Sequence, residues 1–257
     1  MPRLLSAGGT SLTAPLRDER GAVLVLMSAL CVVLALLFVG LSEFGRWLIA
    51  REQAQVAADA AAHAAVLSGG ERMVKLRIYR EPGAMYETCC PCEDGCCTCC
   101  EDCGDYEIVV TGTAKHLLDE GGWYTDYYGE VCGPCDCGCS MNYEILDHWV
   151  RFDAPVGEAA AEAYFQANYP EQAYLAGKRP VKFYDRTSPY GPSAVVYAWY
   201  RVKSLFPRLF GVFPDDYGGV VCAQADAFYR DYEGDRYISD KYKRRAPECA
   251  CWKDGAY

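Results

Sequence analysis

From Gly21 to Leu41 the chain reads GAVLVLMSALCVVLALLFVGL, with no charge in the run. About 20 apolar residues in a helix span the hydrocarbon core of a bilayer, and a helix satisfies its own backbone hydrogen bonds there. A buried helix of a soluble protein would show a polar face, and this run has none. A cleaved signal peptide would have a shorter apolar region, about 7–15 residues, followed by a small-x-small cleavage site. Here the chain continues as SEFGRWLIAREQAQVAADAAAHAAVLSGG, with no Gly or Pro between Arg46 and Ser68. Ala, Gln, Glu, Arg and Leu favour a helix, and the Gly69-Gly70 pair stops it. One helix from Gly21 to Leu67 would be about 70 Å long, so only its first half fits inside lipid.

The remaining composition narrows the class. The formal net charge is -10. A phosphate-binding surface needs clustered Lys and Arg, so nucleic acid is not an expected partner. Arg3, Arg17 and Arg20 precede the apolar run, and Arg46 and Arg51 follow it. Three against two orients the N-terminus to the cytoplasm. Residues 1–20 therefore read as a cytoplasmic leader, 21–43 as a transmembrane helix, 44–68 as an Ala-rich stalk helix and 69–257 as an extracytoplasmic domain.

Three pieces stand in order around this helix: Arg20-Gly21 before the span, Glu43-Phe44-Gly45-Arg46 after it, then Gln55-Val56-Ala57-Ala58-Asp59-Ala60-Ala61. Together they resemble the N-terminal region of TadE/TadG-like proteins of tight-adherence (Flp, type IV-related) pilus systems. The resemblance covers about fifty residues. A weaker echo lies in AVVYAWYRVKSLFPRLFGVF from Ala194 and in VVCAQADAF from Val220. Ala159 to Gln166, followed by Asn168, also resembles the mid-chain helix of that family. Residues 84–141 have no counterpart and read as an insertion. The resemblance implies a membrane-anchored pilus-assembly or minor pilin-like protein, not an enzyme, whose partners are the membrane and other pilus or secretion-system subunits. Prepilins usually carry a Glu five residues after the cleavage Gly. Leu26 stands there relative to Gly21, so the leader is expected to be kept.

The part after Gly70 reads as an α+β domain, with a mainly antiparallel β-sheet and one packed helix. MVKLRIY, from Met73 to Tyr79, alternates as a half-buried strand does. Tyr106–Thr113, Ile145–Phe152, Val181–Tyr184, Val195–Val202 and Val220–Ala225 are further strands rich in β-branched and aromatic residues. Pro155 to Tyr169 is a helix, with Pro at its start and Pro170 beyond its end.

Of 16 cysteines, twelve lie between Cys89 and Cys139, in CCPCEDGCCTCCEDC and CGPCDCGC. Dense C-x-x-C spacing places two thiolates on one turn, as zinc sites do. Cys89, Cys92, Cys96, Cys99, Cys100, Cys103, Cys132, Cys135, Cys137 and Cys139 are therefore candidate metal ligands, with zinc as the metal. Disulfides are the competing reading, favoured by an extracellular address. Adjacent cysteines disfavour local bridges, so disulfides are expected to cross between the two clusters. Either staple would hold a segment with little core of its own.

Catalytic readings are weaker. Cys132-Gly133-Pro134-Cys135 has a thioredoxin-type sequence, but Asp136-Cys137-Gly138-Cys139 after it makes a poor helix start. The cysteine spacing fits no ferredoxin run, and no GxSxG, HExxH or phosphate-loop pattern occurs. No small-molecule substrate is expected. The leading function is assembly through helix packing. Ala29, Ala35 and Gly40 would permit close helix approach in the membrane. Gln55, Ala57, Ala58, Asp59 and Ala61 would form a face for a neighbouring subunit, with Asp59 either setting register or simply facing water. A membrane-tethered extracellular binding module is the alternative, and a thiol redox protein is third.

Overall fold

A computed structural model describes residues 19–92, 95–133, 135, 138–169, 173–175, 177, 180–206, 214–227, 229–230 and 236–237. The expected long helix is one element, α1, from Glu19 to Gly69. Among the described residues it is the helix long and apolar enough to cross a membrane. The chain divides into two compact units. The first joins the chain up to Ala50 with Val202–Gly218; the second joins Arg51–Arg201 with the chain from Gly219 onward.

In the first unit, Val23 to Phe38 and Leu41 of α1 expose their apolar side chains. The rest of this unit is the end of strand β8 (Ser193–Lys203), the start of strand β9 (Asp216–Asp226) and the residues joining them. Ser204 N–H donates to the Asp215 carbonyl across this connection, at 3.1 Å.

Among the described residues the second unit holds two larger sheets, a cysteine hairpin and a short two-stranded ladder of Tyr229–Arg230 with Arg236–Tyr237. Strand β1 (Gly70–Arg80) lies between β4 (Glu107–Thr113) and β5 (Met141–Phe152), antiparallel to both. Val74, Leu76 and Ile78 of β1 share one face and are fully buried. They form a core with Ala114, Leu117, Val131, Cys132 and Met141. Arg77 points the other way and pairs with Glu144 of β5 and Glu107 of β4. This is the period-2 alternation read in MVKLRIY.

Between β4 and β5 the chain folds over that core as a π turn (Lys115–Asp119) and two short helices, α2 (Gly122–Thr125) and α3 (Tyr128–Val131). These short elements have no periodic sequence signal. They close because small residues permit it: a Cβ on Gly112 would lie 2.9 Å from Leu117 Cδ1.

The other sheet is built on β8. Strand β6 (Ala173–Leu175) pairs with its residues Ala198 to Tyr200, and β7 (Val181–Tyr184) with Ser193 to Val196, both antiparallel. β9 also pairs with β8. The helix α4 (Ala154–Asn168) starts at Asp153, whose side chain accepts from Val156 N–H, and buries Phe165 completely.

α1 ends where Gly69 meets the backbone of α4. The carbonyl of Gly69 accepts from Asp153 N–H at 2.8 Å, so one residue caps α4 and satisfies the end of α1. A Cβ on Gly69 would lie 2.8 Å from Gly157 Cα, and one on Gly157 would lie 2.5 Å from the Phe183 ring. α1 and α4 therefore cross backbone against backbone.

The structure is α+β with antiparallel sheets, as read from the sequence. Within the insertion, however, the first cysteine cluster forms two paired strands, β2 (Met85–Cys92) and β3 (Gly95–Asp102), rather than metal-binding turns.

Candidate functional site

The site begins with Glu43, the first charged residue after the apolar run. It is 4% exposed. Burying a carboxylate is costly unless donors replace its water. Here four donors do. Glu43 Oε1 accepts from Ser204 Oγ at 2.9 Å, from Leu205 N–H at 2.6 Å and from Phe206 N–H at 3.0 Å. Oε2 accepts from the Tyr217 hydroxyl, which also reaches the Glu43 carbonyl at 3.2 Å. Arg46, one helical turn on, donates from Nη1 to the Lys203 carbonyl at 3.1 Å and lies 3.9 Å from Glu43 Oε2. Burial, and then its bond to Glu43, push the Tyr217 phenol up to about 12.

Glu43 and Arg46 are thus the joint between the helix and the β8–β9 connection. In the sequence they were visible only as two members of a family-like motif. An acid immediately after an uncharged span was the signal available; nothing in the sequence singled out Ser204 or Tyr217 as its partners, 161 and 174 residues away.

The Ala-rich half of α1 has a different setting from the one expected. Ala54, Ala57, Ala58, Ala61 and Ala65 are fully buried within the second unit. Gln55 Nε2 donates to the Cys222 carbonyl of β9 at 2.9 Å and to Asp59 Oδ1 at 3.1 Å. Asp59 is exposed. In this chain, then, the face of Ala57, Ala58 and Ala61 is covered by the chain itself, and Asp59 is not a buried register residue. Alanine permits close approach, and Gln55 ties this stretch of α1 to β9; Ala194, Ala198, Ala223 and Ala225 of the β8–β9 sheet are also buried. Ala29 and Ala35 remain exposed, and a Cβ on Gly40 would meet nothing within 4 Å.

The metal reading of the cysteines is corrected. Cys90 is bonded to Cys99, Cys103 to Cys135 and Cys132 to Cys139. Cys100 and Cys222 are also in disulfides. A disulfide sulfur is no thiolate, so Cys99, Cys100, Cys103, Cys132, Cys135 and Cys139 are not zinc ligands here. Among the described residues no three His, Cys, Asp or Glu side chains converge on a metal position. The side chains of Cys89, Cys92 and Cys96, and all of Cys137, lie outside the described residues. The expectation that bridges would run between clusters holds for Cys103–Cys135, whereas Cys90–Cys99 and Cys132–Cys139 stay within one cluster. Antiparallel pairing makes the local bridge feasible, since Cys90 faces Cys97 across the hairpin and Cys99 lies two residues on.

Arg80 completes this lobe. It is buried, and its guanidinium donates to the carbonyls of Val131, Cys103 and Gly104. It also lies over the Tyr106 ring, 5.6 Å from the centroid. A basic residue at the end of β1 thus gathers two loops that the Cys103–Cys135 bridge also joins.

The family model for putative Flp pilus-assembly TadE/G-like proteins matches residues 21–68. These are nearly the bounds of α1, and they include Glu43, Arg46 and the buried alanines. No curated protein and no solved structure matches the chain.

Proposed function

We propose that this chain is a membrane-anchored component of a tight-adherence pilus or secretion system, minor pilin-like in build, which acts by assembly rather than catalysis. The observation that carries the reading is the family match over residues 21–68 on a helix whose first half exposes apolar side chains all round. Such a surface needs lipid or like helices to cover it. The chain crosses the bilayer once with residues 21–43, its N-terminus in the cytoplasm and the part after Gly69 outside. Disulfides in the cysteine lobe support an oxidising, extracytoplasmic setting.

Other subunits of the system are the proposed partners, engaged through the exposed half of α1. Ala29, Ala35 and Gly40 are where a second helix could approach closely. The alanines beyond Ala50 serve the chain's own fold. They would reach a neighbour only if the domain exchanged its packing.

Copurification tests the assembly reading. Full-length protein extracted in mild detergent should bring down pilus motor and platform proteins. Replacing Ala29, Ala35 and Gly40 together by Leu should weaken that recovery without loss of membrane insertion. Recovery of no pilus component from cells that are making pili would defeat the proposal. Protease added to spheroplasts should remove residues 71–257; protection until lysis would reverse the topology.

A further inference from the structure

The clamp at Glu43 has a position along the membrane normal as well as a structure. From Gly21 to Glu43 a helix rises about 33 Å, close to the ~30 Å thickness of a hydrocarbon core. Any segment fixed to Glu43 is therefore held at the level where α1 leaves the lipid. Residues 204–206 are such a segment, because Leu205 and Phe206 give their backbone N–H groups to the Glu43 carboxylate. Their side chains are left outside: Leu205 is 54% exposed and Phe206 37%. On α1 at the same level, Phe44 is exposed and stacks on Trp47, with ring centroids 5.7 Å apart. Leu48 and Ile49 follow, also exposed. Arg46 and Lys203 flank the group. Aromatic and aliphatic side chains with Arg and Lys beside them are the composition of a membrane interface layer.

We propose that Leu205 and Phe206 lie in the interfacial layer of the bilayer that α1 crosses, as a second membrane contact held there by Glu43. The occupant of this apolar patch is phospholipid. Its surface is continuous with the exposed apolar surface of α1, and the clamp leaves it no other depth. The inference rests on the reading of α1 as a membrane span. Glu43 is a positioning residue in it: the carboxylate touches no lipid, but it accepts from the two backbone N–H groups of Leu205 and Phe206, so that their apolar side chains can turn toward the acyl-chain edge of the interface with those N–H groups already satisfied.

The test uses the full chain in vesicles of phosphatidylethanolamine and phosphatidylglycerol. The photoreactive residue benzoylphenylalanine replaces Phe206 in one variant and Leu34, in the middle of the apolar run, in another. Irradiation followed by mass spectrometry identifies what each has bonded to. Phospholipid adducts at both positions are the expected result. Glu43→Gln should then lower the adduct at position 206 several-fold and leave that at position 34 unchanged. Lipid at position 34, with only protein adducts or none at 206, would overturn the inference and leave the span standing. No lipid at position 34 would overturn the span, and the inference with it. An adduct at 206 that Glu43→Gln does not change would overturn the role given to Glu43.

Discussion

Cys132 and Cys135 stand three residues apart in a Cys-Gly-Pro-Cys run, yet they are bonded to Cys139 and Cys103 and not to each other. A dithiol redox site needs the pair to open and close between its own two sulfurs. Here each sulfur ties down a different stretch of chain. Peptide mapping of protein prepared without reductant should find Cys90–Cys99, Cys103–Cys135 and Cys132–Cys139. Cys103→Ser should destabilise the cysteine lobe by about 2–4 kcal/mol, since that bridge closes the longest of the three loops. A Cys132–Cys135 bridge in the map would restore the redox reading.

The same lobe depends on Arg80. Removing its guanidinium leaves the buried Val131 carbonyl, and the less buried carbonyls of Cys103 and Gly104, without their donor. Arg80→Ala should cost about 3 kcal/mol in denaturant unfolding, followed by the fluorescence of Trp123 in the adjoining core. Arg80→Lys should recover only part of this, because an ammonium cannot reproduce the planar fork. Equal stability of the Ala variant and the parent would show that the lobe does not need the charge.

The alanines of α1 give a test of what covers them. Ala57 and Ala61 are fully buried, so Ala57→Leu or Ala61→Leu overpacks the domain and should cost about 1–3 kcal/mol each. Val56 is 62% exposed, and Val56→Leu should be neutral. Gly157→Val should be at least as damaging as either alanine change, since its side chain would enter the Phe183 ring. Thermal unfolding of detergent-solubilised protein measures all four. If Ala57→Leu left the unfolding temperature unchanged and reduced only subunit association, the face would belong to a partner after all.

A histidine in the insertion should titrate high. His116 Nε2 lies 2.7 Å from Asp126 Oδ2, and Nδ1 lies 3.3 Å from Glu120 Oε2. The bond to Asp126 first, then that to Glu120, raise the imidazole above its usual 6.5. The same pair lowers Asp126 below its usual 3.8. The stability contributed by His116 is therefore fully present below about pH 6.5 and is lost as pH rises through the elevated folded value. For Asp126 the contribution is present above its unfolded value and is lost as pH falls through the depressed one. NMR titration of the His116 ring should give a midpoint above 6.5, and Asp126→Asn should bring it back down. A midpoint at or below 6.5 in the parent would contradict the pairing.

Much of the backbone was legible because its signals are local. Gly21 to Ser68 lacks breakers across its Ala-rich half, and Gly69-Gly70 ends it. Met73 to Tyr79 alternates, and Pro155 starts α4. Each is a preference of neighbouring residues for one backbone geometry. The π turn and short helices between Lys115 and Val131 were missed because each is held by its covering of the Leu76–Ile78 core and not by its own sequence.

For the site, the division is sharper. The sequence by itself determined that the charge-free run from Gly21 to Leu41 is a helix of bilayer length and that an acid-x-Gly-Arg step and an alanine run follow it. Those are properties of composition and spacing along one strand of chain. Only the tertiary structure decided that Glu43 receives Ser204, Leu205, Phe206 and Tyr217, that the alanines are buried by their own domain, and that the C-x-x-C cysteines pair elsewhere. Each of these joins residues far apart in sequence. A carboxylate, a methyl group or a thiol specifies the kind of partner it needs, and the fold chooses which one it meets.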